Sequence, residues 1–397
     1  MKRFLVIFMT AVFCLGTVSA AAYEEAVAYP PAYEVFEEWA QAESAATLNG
    51  GMDCKAALLM EADTGTILYQ SNETEHLPIA SVTKIMSTLL VTEALDKGKI
   101  KIDDTVTVSA YAASMGGSQV YLEPGEQMSV DELLKCLIVV SANDAAVALA
   151  EHIYGSAESF VAAMNERAKE LGMENTHFSN TTGLDDDGYS CALDVAVMTR
   201  ELLKYPVIFN YTTIWMDTVR DGAFGLSNTN RLVRFYKGAN GMKTGFTTEA
   251  MYCLSATALR DGMQLIAVVL GSSSSENRFA AAKQMLDFGF ANYRVVKPEA
   301  LYLQPLAVKG GTAETVKLEY APPTILCEKG GSEIETEFVL EKKLKAPVKQ
   351  GQKVGEAIFS TEGKELCRCD ITAAEAVDAI SFGSMFGLII KNILSFV

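Results

Sequence analysis

Three short stretches carry side chains that could perform covalent chemistry together. In Ser81-Val82-Thr83-Lys84 a hydroxyl and an amine stand three residues apart, a spacing that puts both on one face of a helix. A serine hydroxyl is a weak nucleophile and needs a neutral base beside it. A lysine becomes that base when burial and a neighbouring cation push its pKa down. Ser141-Ala142-Asn143 follows the apolar run Leu137 to Val140 and precedes a new helix at Asp144. Such a break can point a hydroxyl and an amide into a shared cleft, although Ser or Asn also serves there as an ordinary helix cap. Lys243-Thr244-Gly245 stands just before a strand hairpin. Its glycine lets a ligand approach an edge-strand backbone, and its lysine offers a positive charge to a substrate carboxylate. Each motif alone is common, and taken singly a chance Ser–Lys spacing, a routine cap and a solvated surface lysine are the better accounts. Brought together, the three would place a serine nucleophile, Ser81, and a lysine base, Lys84, in a cleft beside a cationic strand edge, the equipment of covalent catalysis.

The surrounding pattern supplies elements to hold them. Ala56 to Met60 and Thr66 to Tyr69 are short apolar runs separated by Asp63-Thr64-Gly65, which is a hairpin signature. From Ser81 to Leu95, residues Ile85, Met86, Leu89, Leu90 and Ala94 recur at helical spacing behind Pro78, so Ser81 falls at a helix N-terminus. Helical stretches follow at about 130–140, 144–154, 157–171 and 191–204, and Tyr252 to Ala258 and Gln264 to Leu270 read as strands joined by Asp261-Gly262. Strands first, helices in the middle and strands last imply an α+β domain over residues 51–296, with one antiparallel sheet assembled from both ends and packed by helices. Beyond residue 297 the texture shifts to short strands and turns at Gly310-Gly311, Pro322-Pro323, Gly330-Gly331 and Gly351, which reads as a small all-β domain over 297–371.

The termini and the composition narrow the setting. With 49% hydrophobic and 21% charged residues in 397, the chain can bury cores for two domains, which excludes disorder. Lys2 and Arg3, an apolar run from Phe4 to Leu15 and the small residues Val18-Ser19-Ala20 have the layout of a signal peptide, 1–20, followed by a spacer, 21–50. Phe13 is too bulky to make Cys14 a lipoprotein site. Cleavage takes the formal charge from −17 to −19, because the leader carries two cations and no acid. No clustered cationic face of the kind nucleic acid requires is evident, so nucleic acid is not an expected partner. Among eight cysteines only Cys367 and Cys369 lie close together, with no second pair at zinc-ligand spacing. His76, His152 and His177 sit in no motif that builds a Ser-His-Asp triad or a metal site. Neither a metal nor a cofactor is expected. The tail, 372–397, is apolar from Ile380 onward but broken by Gly383, Ser384, Gly387, Lys391 and Ser395, as in a helix lying in a membrane interface. A core helix docked on the β domain is the other reading.

The S-x-x-K, S-x-N and K-T-G set resembles that of penicillin-binding proteins and serine β-lactamases. Within that superfamily the chain resembles the low-molecular-mass penicillin-binding proteins, serine-type D-alanyl-D-alanine carboxypeptidases. The likeness extends through Leu58-Leu59-Met60-Glu61-Ala62-Asp63-Thr64-Gly65, Gly116-Gly117-Ser118, Thr182-Gly183-Leu184-Asp185 and Asn228-Thr229-Asn230, and to the two-domain, membrane-anchored layout. It implies a penicillin-binding transpeptidase-like fold, peptidoglycan stem peptides and β-lactams as partners, and a place on the outer face of a bacterial cytoplasmic membrane. Carried onto this sequence, it implies that Ser81 attacks the penultimate D-alanine carbonyl and Lys84 takes its proton. Ser141 and Asn143 would complete the proton path and hold the peptide, and Lys243 and Thr244 would grip the terminal carboxylate. The backbone N–H groups of Ser81 and Phe246, beside Gly245, would form the oxyanion hole.

Two alternatives share these motifs. A class A β-lactamase needs a glutamate for its deacylating water, and Asn180 to Ser190 lacks the E-x-x-x-N pattern. A catalytically silent peptide-binding module is disfavoured by intact Ser81, Lys84 and Lys243. One departure stands out: Phe246 occupies the position after K-T-G where relatives often carry a polar residue. Because only its backbone is needed there, activity is expected to survive with an altered substrate preference.

Overall fold

The computed structural model describes residues 48, 51–185, 187–381 and 383. The expected leader, nearly all of the spacer, and residues 382 and 384–397 of the expected anchor helix lie outside these residues; the start of that anchor, 372–381, is not helical, because Thr372 and Ala373 end a strand (Lys364–Ala373) and Val377 packs into the core of the β domain. No helix among them is long and apolar enough to cross a membrane.

Strand β1 (Ala56–Glu61) turns back into β2 (Ile67–Ser71), and a 3-10 turn, Ala80–Thr83, leads directly into α1 (Lys84–Asp96). A helical layer follows: β3 (Thr105–Thr107), α2 (Ala110–Ala113), β4 (Gln127–Ser129), α3 (Val130–Val139), α4 (Asn143–Tyr154), α5 (Ala157–Glu170), α6 (Ala192–Leu202) and α7 (Phe209–Thr212). The hairpin β5 (Met216–Val219) and β6 (Phe224–Ser227) and the short α8 (Leu232–Phe235) then return the chain to the sheet as β7 (Ala239–Thr247), β8 (Met251–Arg260) and β9 (Met263–Ser272), before α9 (Ser275–Asn292). The sheet order is β2-β1-β9-β8-β7, all pairs antiparallel, so it is indeed assembled from both ends of this part of the chain.

The middle strands are apolar on both faces because both are covered. In β9, Ile266, Val268 and Leu270 join the core under the helical layer, whereas Leu265, Ala267 and Val269 join a second core under α9. The alternation is the ordinary two-residue period of a strand. The β8–β9 turn follows from its residues: Asp261 and Gly262 take φ of 49° and 77°, the left-handed pair a tight two-residue turn requires; in the β1–β2 turn the left-handed residue is Gly65, with φ of 74°. Helix α3 starts with a reciprocal capping box between Ser129 and Glu132, which satisfies two otherwise unpaired amide groups.

The remainder is a β domain with its own core, formed around Val316, Val354, Ala357, Phe359, Ile371 and Ala373. Its strands are β10 (Tyr293–Val296), β11 (Leu306–Lys309), β12 (Thr315–Val316), β13 (Leu318–Glu319), β14 (Ile325–Glu328), β15 (Glu335–Leu340), β16 (Leu344–Lys345), β17 (Lys353–Thr361) and β18 (Lys364–Ala373). They form the sheets β13-β18-β17-β15 and β12-β11-β16 and the pair β10-β14.

Candidate active site

The 3-10 turn ahead of α1 holds Ser81 at the edge of the sheet. Ala80, just before it, has φ of 48°, a left-handed conformation that costs an L-residue about 1–2 kcal/mol. The turn is pinned from two sides by backbone approaches that admit no side chain. A Cβ on Gly245 of β7 would lie 2.7 Å from the Ile79 carbonyl oxygen and 3.1 Å from the Ser81 nitrogen. A Cβ on Gly183 would lie 1.9 Å from the Ala80 oxygen, and Gly183 itself has φ of 71°. Glycine is therefore required at both positions.

Lys84, the first residue of α1, is 0% exposed. Its Nζ lies 2.9 Å from Ser81 Oγ, 2.5 Å from Asn143 Oδ1 and 3.0 Å from the Thr182 carbonyl oxygen. The partner types matter as much as the distances. The Asn143 amide is oriented by its own Nδ2, which donates to the Gly116 carbonyl at 2.6 Å. Its Oδ1, like the Thr182 carbonyl, can only accept. A neutral amine has two N–H bonds and one lone pair, so two acceptor-only neighbours take the hydrogens. The lone pair is left for the Ser81 hydroxyl. Burial, then the charge of Lys243, push the Lys84 pKa well below its ordinary 10.5, with Asp144 opposing them.

The other motif residues converge on the same place. Asn143 opens α4, with its backbone N–H donating to the Ser118 carbonyl at 2.7 Å. Ser141, in the break between α3 and α4, has φ of 64° and a buried Oγ that bonds no protein group among the described residues. Lys243 is 3% exposed, donates to the Thr244 carbonyl at 2.9 Å, and is brought down to about 7 by burial and then by Arg278. Thr244 Oγ1 bonds Thr229 Oγ1 at 2.7 Å. Phe246 is 54% exposed, its ring 4.4 Å from that of Tyr252.

Two contributors escaped the sequence reading. Arg278 of α9 crosses the sheet edge and donates to the carbonyls of Gly245 (2.9 Å) and Cys253 (3.2 Å), holding β7 from behind. Nothing marked it, since a lone arginine at the start of an amphipathic helix is ordinary. Buried Asp144 accepts from the backbone N–H groups of Val120, Leu122 and Ala145, tying the loop after Gly116–Ser118 to α4. Its position directly after Ser141-Ala142-Asn143 was the available signal.

Fold and site together define a serine enzyme whose nucleophile and lysine partner share the start of one helix, against an edge strand bearing a second buried lysine. Comparison with known proteins agrees. A family model described as D-alanyl-D-alanine carboxypeptidase matches residues 40–274, and one described as the penicillin-binding protein 5 C-terminal domain matches 293–379. The chain belongs to the D-alanyl-D-alanine carboxypeptidase family. It is 45% identical over 342 residues to D-alanyl-D-alanine carboxypeptidase DacF of Bacillus subtilis (strain 168), covering 83% of this chain and 87% of that relative. Its structure is similar to penicillin-binding protein 5 from Haemophilus influenzae, with TM-score 0.75, 32% identity and coverage of 84% of this chain and 99% of the other. It is also similar to penicillin-binding protein D2 from Listeria monocytogenes in an ampicillin-bound form, with TM-score 0.55, 32% identity and coverage of 62% and 100%.

Proposed function

We propose that this protein is a serine D-alanyl-D-alanine carboxypeptidase that removes the terminal D-alanine from peptidoglycan stem peptides through an acyl-enzyme on Ser81, and that penicillins acylate the same residue. The observation that carries the reading is the position of Lys84 Nζ, 2.9 Å from Ser81 Oγ, with acceptor-only groups as its other partners. Neutral Lys84 takes the Ser81 proton as Oγ attacks the penultimate D-alanine carbonyl. The oxyanion forms between the backbone N–H groups of Ser81 and Phe246, each such donor contributing about 3–4 kcal/mol. Lys243 and Thr244 hold the terminal carboxylate. Ser141, whose hydroxyl has no protein partner, relays the proton to the leaving amine, and water then releases the shortened peptide. The similarity to penicillin-binding protein D2 of Listeria monocytogenes in its ampicillin-bound form supports the penicillin part of the reading.

The chain is exported and works on the outer face of a bacterial cytoplasmic membrane, held there by its apolar tail. The leader-like start and the interrupted apolar end of the sequence support this. The activity is tested by incubating the protein with a pentapeptide ending in D-Ala-D-Ala, assaying free D-alanine, and labelling with a fluorescent penicillin. A wild-type protein that takes no label, or a Ser81→Ala protein that labels equally, ends this reading.

A further inference from the structure

Strands β11 and β16 pair in parallel, with Val308 opposite Leu344 and Lys309 opposite Lys345. Val308 and Leu344 point into the domain core, so the two lysines share the outer face, and side chains two apart on a strand share a face. Lys343, immediately before β16, is exposed beside them, with exposed Ala307 and Thr315 as neutral neighbours. Lys342 and Lys349 flank the group and are also exposed. Like charges directly opposed across a strand pair repel. Elsewhere in this domain Lys353 pairs with Glu356 and Asp370, and Arg368 with Glu356 and Glu365, whereas exposed Lys317 and Lys364 pair with no described carboxylate. None of Lys309, Lys343 and Lys345 forms an ion pair with a described carboxylate. No acidic residue lies on β11, β12 or β16. Exposed acids border the group: Glu314 and Asp378 at the turn beyond Lys309, Glu341 before Lys342, and Glu375. In a protein of formal charge −17 the strands of this sheet carry lysines and no acid.

The chain leaves the described fold beside it. Gly311 bridges Ala379, and the Ile380 N–H donates to the Gly310 carbonyl at 2.9 Å. Residues 382–397, the mostly apolar segment, thus begin next to Lys309.

We propose that the outer face of the β11–β12–β16 sheet, through Lys309, Lys343 and Lys345, docks on the anionic phosphate headgroups of the membrane in which the tail lies. The inference rests on the membrane reading above. Phosphates relieve the unpaired lysines, and the tail holds that face within the short range over which a charged surface acts. Docking fixes the orientation of the β domain, where a tail alone would leave it free to swivel.

The test is partitioning of the full chain onto vesicles of phosphatidylcholine alone and of phosphatidylcholine with phosphatidylglycerol in equal parts, at low and high salt. A lysine near an anionic surface strengthens binding roughly fivefold, so three give about a hundredfold. The expected result is binding to both vesicles, with a salt-sensitive gain of that order on the anionic ones. The triple variant Lys309→Gln, Lys343→Gln, Lys345→Gln loses that gain but keeps its binding to neutral vesicles and its penicillin labelling. A gain that survives in the variant or at high salt overturns the proposal. So does the lysine face taking up inorganic polyphosphate while anionic lipid gives no gain, which assigns it to a soluble polyanion. Failure of the tail reading looks different: binding to neutral vesicles is absent while the lysine-dependent gain remains.

Discussion

Replacing Gly245 by alanine tests the geometry on which the chemistry depends. The added methyl carbon would lie 2.7 Å from the Ile79 carbonyl oxygen and 3.1 Å from the Ser81 nitrogen, whereas unstrained heavy-atom contacts lie at about 3.5 Å or more. Neither neighbour is a flexible side chain, so β7 and the Ser81 turn must separate by roughly 0.5–0.8 Å to restore contact. That separation opens the gap between the Ser81 and Phe246 amides. Catalytic groups tolerate only about 0.5 Å of misplacement, and loss of one oxyanion donor lowers turnover about 10²- to 10³-fold. Acylation of Gly245→Ala by fluorescent penicillin, followed under single-turnover conditions, is therefore expected to slow by about a hundredfold or more. Gly116→Ala is the matched control: its carbonyl also lines the site through Asn143, but a Cβ there meets nothing within 4 Å, and its rate should stay near wild type. Equal rates in Gly245→Ala and wild type, with the alanine present at full occupancy, would show that the close approach of β7 to Ser81 does not set the rate.

Two further outcomes follow from the buried groups. The buried Ser141 hydroxyl bonds no protein group among the described residues, and a buried polar group without a protein partner costs up to about 1–3 kcal/mol. Ser141→Ala should thus leave the melting temperature unchanged or higher while acylation falls about a hundredfold, as for loss of a proton relay; a destabilised but fully active variant refutes that role. The pH profile of kcat/KM should be bell-shaped. Lys84, its pKa lowered, is a free base above that value and sets the acid limb; the Lys243 cation, with a pKa of about 7, is present below that pH and lost above it, setting the alkaline limb. Because an arginine stays charged, Lys243→Arg should carry the alkaline limb to higher pH whatever its absolute rate, and a limb that does not move assigns it to another group.

Much of this was legible in the residues. The two tight turns, the helical stretches and the return of β7–β9 to the first hairpin follow from periodicity and turn chemistry, which are local. Ser81 and Lys84 are close because three residues make nearly one helical turn, and that too is local. The meeting of Asn143 and Thr182 with Lys84 has no such signal. It depends on how α4 and the 180–185 loop pack on α1, and packing is written in the shapes of many side chains. Arg278 was invisible for the same reason, since its value lies in the two carbonyls it reaches across the sheet. Phe246 lies half-exposed on Tyr252, a solvent-facing side chain on a strand whose backbone borders Ser81.

What turns the motifs into chemistry is the exclusion of water. For both Lys84 and Lys243 the first cause of the lowered pKa is burial, with charge–charge repulsion second. Two ammonium groups cannot both be sustained in one dry cleft, and the contacts decide which proton is given up. Lys84 holds two acceptor-only groups and a hydroxyl, a set that a neutral amine satisfies fully with the hydroxyl as donor. Among the described residues Lys243 bonds the Thr244 carbonyl alone, which leaves its other N–H groups for the carboxylate that the proposed function assigns to it. The same side chain, three residues after a serine on an exposed helix, would stay protonated and inert. The segments around Thr182, Gly183 and Gly116, which supply or orient the groups at Lys84, are thus as much part of the base as the amine, although they carry no titratable group of their own.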